Sequence, residues 1–408
     1  MARKLRRVDW FVFGLALLFL AAACRADPVR CDDDPLGCAV IRPGNPIQIV
    51  TLLPMSGDTA VWGQELSRGI NLALSSRGGE VLNHDIELIP VDSGCDTAVG
   101  LESIQNLDEA TPIVAIIGPA CSQVAEAVLP TVRRNDWLLI SPASTAPTLT
   151  QDPPDDAFFR TVPNHLHQAT VAATFAIEEL GMTEAAVLQD NSSFNSLLAQ
   201  QFRETFVQLG GSIVYQGNLA QGQPDLDSLL TDTAASKPQL IYLALFEAEG
   251  NLVLNRMVEN NDLTRTIVLG ADALRTNHFA KQIGDLPTEI YVTGPALSGP
   301  AYDSFQAVWL NRYEALPTSP APAYAYDATQ LLLTAIEEVG VMAQNGVLVI
   351  RRGALRDWLA TAEMPGLTGT LRCNPTGDCA ASVYGVYELD TAVRNSAFWP
   401  PPLVWQYE

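Results

Sequence analysis

Two doubly wound α/β lobes are predicted by three features of the 408-residue sequence. Short apolar runs with few polar positions alternate with amphipathic segments, as strands of a parallel sheet covered on both faces alternate with helices. The alternation runs to about residue 140 and restarts near residue 165, and the length suits two domains of ordinary size. An apolar fraction of 48% with 17% charged residues is enough to pack cores of that size and excludes a disordered chain.

The first run, IQIVTLL at 47–53, ends at Pro54 and reads as a buried strand. Residues 64–76 set Leu66, Ile70, Leu72 and Ala73 on one helical face. Strands follow at 86–91 (IELIPV), 113–117 (IVAII, closed by Gly118-Pro119) and 137–140 (WLLI), with helices at 98–107 and 121–134. The second series gives helices at 165–180, 195–209, 225–235 and 251–259. Its strands fall at 185–188, 212–215, 240–245 (LIYLAL), 266–269 and 290–293. Helices are expected at 302–313 and 326–339, and strands within 367–389 around a turn at Cys373–Cys379. No solenoid repeat or low-complexity tract interrupts the pattern.

The amino end has a different composition. Arg3, Lys4, Arg6 and Arg7 precede an apolar run at 11–23 (FVFGLALLFLAAA), too short to span a bilayer but suited to a secretory signal. Ala21-Ala22-Ala23-Cys24 is similar to a bacterial lipobox, with Ala in place of the usual Leu three residues before the cysteine. Residues 1–23 are therefore expected to be a signal peptide and Cys24 a lipidated amino terminus; simple cleavage after Ala23 is the alternative. Residues 24–45, with Pro28, Pro35, Pro43 and an Asp32-Asp33-Asp34 run, read as a tether. The chain's net charge is −22, and −25 remains once the +3 of the leader is set aside. So acidic a body lacks the clustered Lys and Arg that nucleic acid requires.

Export makes the cysteines disulfide candidates. With Cys24 set aside, Cys31, Cys38, Cys95, Cys121, Cys373 and Cys379 allow fifteen pairings. Local spacing favours Cys31–Cys38 and Cys373–Cys379, which leaves Cys95–Cys121. Zinc is disfavoured, since no Cys-x-x-Cys exists and the four His are scattered. Enzyme signatures are missing too: there is no G-x-G-x-x-G, no P-loop and no H-E-x-x-H. Ser122 lacks a Gly-x-Ser-x-Gly elbow. His165 and His167 read as polar residues at a helix start. No cofactor, metal or catalytic residue is expected.

In open α/β sheets, ligands bind beyond the carboxyl ends of the strands. The loops there, 54–63, 118–122 and 141–147, are rich in small and hydroxyl residues. A helix starting near Ser122 would aim N–H groups and a hydroxyl at a carboxylate, although Ser and Thr also simply cap helices.

At these loops the chain resembles the branched-chain amino acid type of periplasmic substrate-binding protein, the receptor of ABC importers. The resemblance rests on VTLLPMSG at 50–57, VDSGCD at 91–96, IIGPACS at 116–122, ISPASTAPTLT at 140–150, VLQDNSSF at 187–194, VLGADA at 268–273 and YAYDA at 324–328. It implies the type I periplasmic binding protein fold, two lobes joined by three crossovers, with residues 46–163 and 294–380 in lobe 1 and 164–293 and 381–408 in lobe 2. It also supports the Cys95–Cys121 bridge. By position, Ser122, Ala143 and Thr145 would receive a ligand carboxylate and ammonium. Asp272 would pair with the α-ammonium, and Trp62, Phe194 and Phe246 would line the ligand. Relatives often carry Tyr where Phe194 and Phe246 stand, and Glu where Asp272 stands. The resemblance implies a monomeric, lipid-anchored extracytoplasmic receptor that hands an apolar amino acid to an ABC permease. The alternatives are an amide, urea or aromatic-acid receptor, or the sensing module of a signalling system.

Overall fold

A computed structural model describes residues 31–57, 59–107, 112–150, 157–219, 226–283, 286–343, 345–380, 383–395 and 400–407. The leader and Cys24 lie outside the described residues.

The first lobe is built on a sheet ordered Glu80–Val81, His84–Asp92, Ile47–Leu53, Ala115–Ile117, Leu139–Ser141, Phe158–Arg160, parallel but for the opening hairpin. The second is ordered Leu403–Gln406, Tyr384–Glu388, Ile290–Pro295, Ile267–Gly270, Leu240–Ala244, Glu184–Asp190, Ser212–Leu219. Its last five strands are parallel, Tyr384–Glu388 runs antiparallel to them, and Leu403–Gln406 runs antiparallel to Tyr384–Glu388. Each parallel series places its second strand outside its first and its third inside, so each lobe has one point where strand order reverses. In lobe 1 that point lies between Ile47–Leu53 and Ala115–Ile117; in lobe 2, between Glu184–Asp190 and Leu240–Ala244. The strands are apolar because both faces are covered: Leu240–Ala244 is buried throughout.

Local chemistry fixes the connections. Asp96 caps the helix Thr97–Gln105 by accepting from the Ala98 and Val99 N–H groups at 2.8 and 3.0 Å. Gly118 takes φ +121°, and a Cβ there would stand 2.2 Å from the Leu52 carbonyl oxygen, so only glycine lets the third strand turn this close to the first. Three passages join the lobes, at 161–165, 296–299 and just before Tyr384. Two of them are tied together by the Ala296 N–H donating to the Val383 carbonyl at 3.0 Å.

The three expected disulfides, Cys31–Cys38, Cys95–Cys121 and Cys373–Cys379, are all formed. The segment clipped by Cys373–Cys379 lies along the outermost strand of the first sheet. Arg160 N–H donates to Gly377 O, and Cys379 N–H to Arg160 O, both at 2.9 Å, which covers an otherwise open edge. Removing the Cys95–Cys121 bridge, which closes a 26-residue separation, should cost about 3–4 kcal/mol through loop-closure entropy. Equilibrium urea unfolding of the Cys95→Ser, Cys121→Ser double variant measures it.

The tether expectation is corrected from Cys31 onward. Cys38–Ile41 is a strand paired with Leu348–Arg351, and Ala39 and Ile41 point into the lobe 1 core. Asp34 is not merely solvated: its carboxylate accepts from the Gly353 and Ala354 N–H groups at 3.1 and 3.3 Å, capping the helix Arg352–Leu359. The four-residue strand is too short, and its acidic and proline-rich surroundings too polar, for alternation to stand out. The expected helix at 165–180 is two pieces: an α-helix at Leu166–Thr174 and a π turn at Phe175–Glu179.

Candidate functional site

The proposed contact residues all follow the carboxyl ends of parallel strands: Trp62, Ser122, Phe194 and Phe246 come after the strands that flank the two reversal points, in or at the start of the helices there, and Ala143, Thr145 and Asp272 come after the next strand along. This is where open α/β sheets bind ligands.

On lobe 1, Ser122 opens the helix Ser122–Arg134, whose start is pinned to the neighbouring loop by Cys95–Cys121. Its Oγ accepts from the Ala146 N–H at 3.1 Å, a bond that does not use the hydroxyl proton. The loop carrying Ala143 and Thr145 is held from beneath. The Ser141 hydroxyl donates to Pro119 O at 2.6 Å and accepts from the Ala143 and Ser144 N–H groups, and the Ser144 hydroxyl donates to the same carbonyl. The fully buried Arg160 reaches the carbonyls of Ala146 and Ser144 at 2.7 and 3.3 Å while pairing with Asp378. Ser122, Ala143 and Thr145 are only part-buried. Trp62 is part-buried against the lobe 1 core and stacks on no other ring among the described residues.

Asp92 anchors the first loop. Burial alone would raise its carboxyl, but the Ser56 hydroxyl and the N–H groups of Gly94, Met55 and Ser56 outweigh that and hold it below the usual range.

On lobe 2, Asp272 follows the strand Ile267–Gly270. Gln168 clamps it: Gln168 Nε2 donates to Asp272 Oδ1, and the Asp272 N–H donates to Gln168 Oε1, both at 3.0 Å. The Thr293 hydroxyl donates to the same amide oxygen and fixes its orientation. Burial pushes the Asp272 carboxyl up, opposed by Gln168 and by the charge of Arg275. A part-buried carboxylate held in this way can receive a cation. Phe194 and Phe246 stack at 6.0 Å with an 18° interplanar angle, and Phe246 is 38% exposed, so it is a wall and not core.

His165, which sequence reasoning read only as a polar residue at a helix start, touches both sets of candidate residues. Its N–H donates to Thr145 O at 3.1 Å, its ring lies 4.5 Å from that of Phe194, and both ring nitrogens are buried without partners. It thus links the lobe 1 loop to the lobe 2 wall. Its place at a helix start hid this, because nothing local distinguishes a buried ring from a solvated one. Burial, reinforced by the Arg160 charge, lowers its pKa to about 4. The unfolded chain takes up this proton near pH 6.5, the folded protein only near 4. Between those values the unfolded state binds more protons, so stability is lost as pH falls. His165→Leu should remove this dependence, narrowing the stability gap to wild type by about 3 kcal/mol between pH 7 and pH 4. Urea unfolding at the two pH values tests this, and Asp327, whose carboxyl burial lifts to about 6, is common to both proteins and cancels.

Two lobes, two reversal points and facing polar and aromatic loops define a hinged small-molecule-binding fold. The chain belongs to the periplasmic binding protein family, whose profile matches residues 46–381. Its relatives are solute-binding proteins and not enzymes. The Leu/Ile/Val-binding protein BraC3 of Rhizobium johnstonii is 25% identical over 347 residues, 84% of this chain and 92% of the relative. A leucine-, isoleucine-, valine-, threonine- and alanine-binding protein of Pseudomonas aeruginosa is 22% identical over 347 residues, 84% of this chain and 89% of its own. Among solved structures, a leucine-binding protein, LivK, of Thermotoga maritima superimposes with TM-score 0.68 at 23% identity, covering 84% of this chain and 95% of LivK. A solute-binding protein of R. palustris in complex with benzoate gives 0.69 at 19%, covering 89% and 96%. No helix among the described residues is long and apolar enough to cross a membrane, and none of their His, Cys, Asp and Glu side chains form a cluster of three able to hold a metal ion.

Proposed function

We propose that this protein captures an α-amino acid with a hydrocarbon side chain, branched-chain or similar, and presents it to an ABC permease. Asp272 carries the proposal: a clamped, part-buried carboxylate on lobe 2 complements the N–H and hydroxyl donors of Ser122, Ala143 and Thr145 on lobe 1. A zwitterion satisfies both, and the stacked Phe194 and Phe246 suit the hydrocarbon. Trp62 adds aromatic surface from lobe 1. Because the two charges of the ligand are held by different lobes, ligand favours the closed arrangement by hinge closure. Interleaved lobe boundaries at 163/164 and 380/381 belong to the same proposal, while the boundary expected at 293/294 moves to just after Pro295, because the lobe 2 strand runs over Ile290–Pro295.

Isothermal calorimetry on ligand-stripped protein with leucine, isoleucine, valine and phenylalanine is the test. Heat from at least one is expected; silence from all would remove the zwitterion. An aromatic carboxylic acid is the second reading, favoured by the Arg275 guanidinium beside Asp272, and benzoate belongs in the same series. The protein is further proposed to be a monomer anchored through lipid on Cys24, supported by the basic leader, apolar run and AAAC sequence. Mass spectrometry of the native amino terminus tests the anchor, which an unmodified Cys24 would rule out.

A further inference from the structure

The rings of His165, Phe194 and Phe246 form one row. The centroids of His165 and Phe194 are 4.5 Å apart with their planes tilted by 46°, and Phe194 lies 6.0 Å from Phe246. The row runs from the interior to the surface: His165 is 3% exposed, Phe194 is part-buried and Phe246 is 38% exposed. Its outer two members are the aromatic wall assigned above to the ligand, and its innermost member is the polar one. The backbone ties the same residue to the opposite lobe, because the His165 N–H donates to Thr145 O at 3.1 Å. His165 thus stands where the loop that presents Ala143 and Thr145 meets the wall of Phe194.

Neither ring nitrogen of His165 has a hydrogen-bond partner among the described residues. Burial holds the ring neutral at pH 7, with its pKa lowered to about 4. A neutral imidazole carries an N–H donor on one nitrogen and a lone-pair acceptor on the other. Buried donors and acceptors left unmet are costly. A hydroxyl pairs with whichever nitrogen faces it, since it donates to the lone pair or accepts from the N–H. A carboxylate suits only the first case's opposite, the N–H, and an ammonium suits only the lone pair. A methyl group suits neither.

We propose that His165 is a specificity-determining residue, whose imidazole hydrogen-bonds a hydroxyl on the β-carbon of the ligand. The position follows from the two contacts of His165. A ligand with its α-groups on the Thr145 loop and its side chain on Phe194 brings the first side-chain atoms to the ring between them. The site then takes small hydroxy amino acids as well as those with plain hydrocarbon side chains. This rests on the amino acid reading above.

Threonine and valine isolate the contact, because they differ only by a hydroxyl in place of a methyl. A purely hydrocarbon pocket would favour valine by about a hundredfold. In calorimetry on the wild-type protein, threonine is instead expected to bind at least as tightly as valine. His165→Leu should lower the threonine-to-valine affinity ratio at least about fivefold, and His165→Gln, which keeps a donor and an acceptor, should recover part of it. Should the variants misfold, nuclear magnetic resonance of wild-type protein carrying 15N-histidine decides: threonine, and not valine, should shift the ring nitrogens of His165. A wild-type ratio below one with valine binding overturns the contact and leaves the amino acid reading standing. So does a smaller drop in His165→Leu, or ring nitrogens that threonine does not move. Failure of every amino acid to bind overturns both.

Discussion

Asp272→Asn is expected to weaken binding of an α-amino acid by about 30-fold to several thousandfold. Removing one partner of a buried, hydrogen-bonded charge pair costs about 2–5 kcal/mol, and each 1.4 kcal/mol is tenfold in affinity. The substitution is nearly isosteric. Its Oδ1 can still accept from Gln168, and the backbone N–H still donates to Gln168 Oε1, so the fold should survive. What is lost is the negative charge facing the ammonium. Glutamate at the same position keeps the charge and should recover most of the affinity, which a purely structural role for Asp272 would not permit. The pH dependence has a definite sign. Burial raises the Asp272 carboxyl, and a protonated acid cannot pair with an ammonium, so affinity should fall on acidification and the Asn variant should not share that fall. Calorimetry on the three proteins across pH measures all of this. An Asn variant that binds as tightly as wild type would take Asp272 out of the site.

The lobes and most of the loops were legible in the sequence because they follow from burial. A strand covered on both faces must be apolar throughout, and Leu240–Ala244 and Ile47–Leu53 therefore announce themselves. The loops at 118–122 and 141–147 were legible from small and hydroxyl residues just past such strands. What stayed hidden depends on contacts between residues far apart in the chain. Gln168 sits 104 residues from Asp272, and its amide means nothing until the two meet. His165 and Arg275 look like ordinary polar residues beside helix starts; only their unpartnered nitrogens in the folded chain set them apart. Cys38–Ile41 was obscured by its polar flanks, because its partner strand lies some 300 residues later. Two of the cysteine pairs, Cys31–Cys38 and Cys373–Cys379, are by contrast close enough in sequence for spacing to suggest them, which leaves Cys95–Cys121 as the third.

Arg160→Met should be the most destabilising substitution near the site, costing about 3–5 kcal/mol. Arg160 is 0% exposed, and its guanidinium connects four groups: Asp378, the Thr150 hydroxyl and the carbonyls of Ser144 and Ala146. Methionine fills much of the volume but satisfies none of them. Asp378 loses its counter-ion, and two carbonyls are left facing an apolar side chain. The consequence reaches the ligand because those carbonyls belong to the loop that presents Ala143 and Thr145. With the loop no longer held from beneath, donors aimed at the ligand carboxylate lose their fixed positions, and affinity should drop at least about tenfold in whatever protein still folds. Lysine should fall between the two: it restores the charge but, with a single ammonium, cannot span acid and carbonyls at once. Urea unfolding and calorimetry on the three proteins separate the effects. Loss of stability with unchanged affinity would show that the disulfide-clipped edge needs Arg160 and the binding loop does not. Loss of both, graded from Arg through Lys to Met, is the expected outcome, since one buried guanidinium ties that edge to the binding loop.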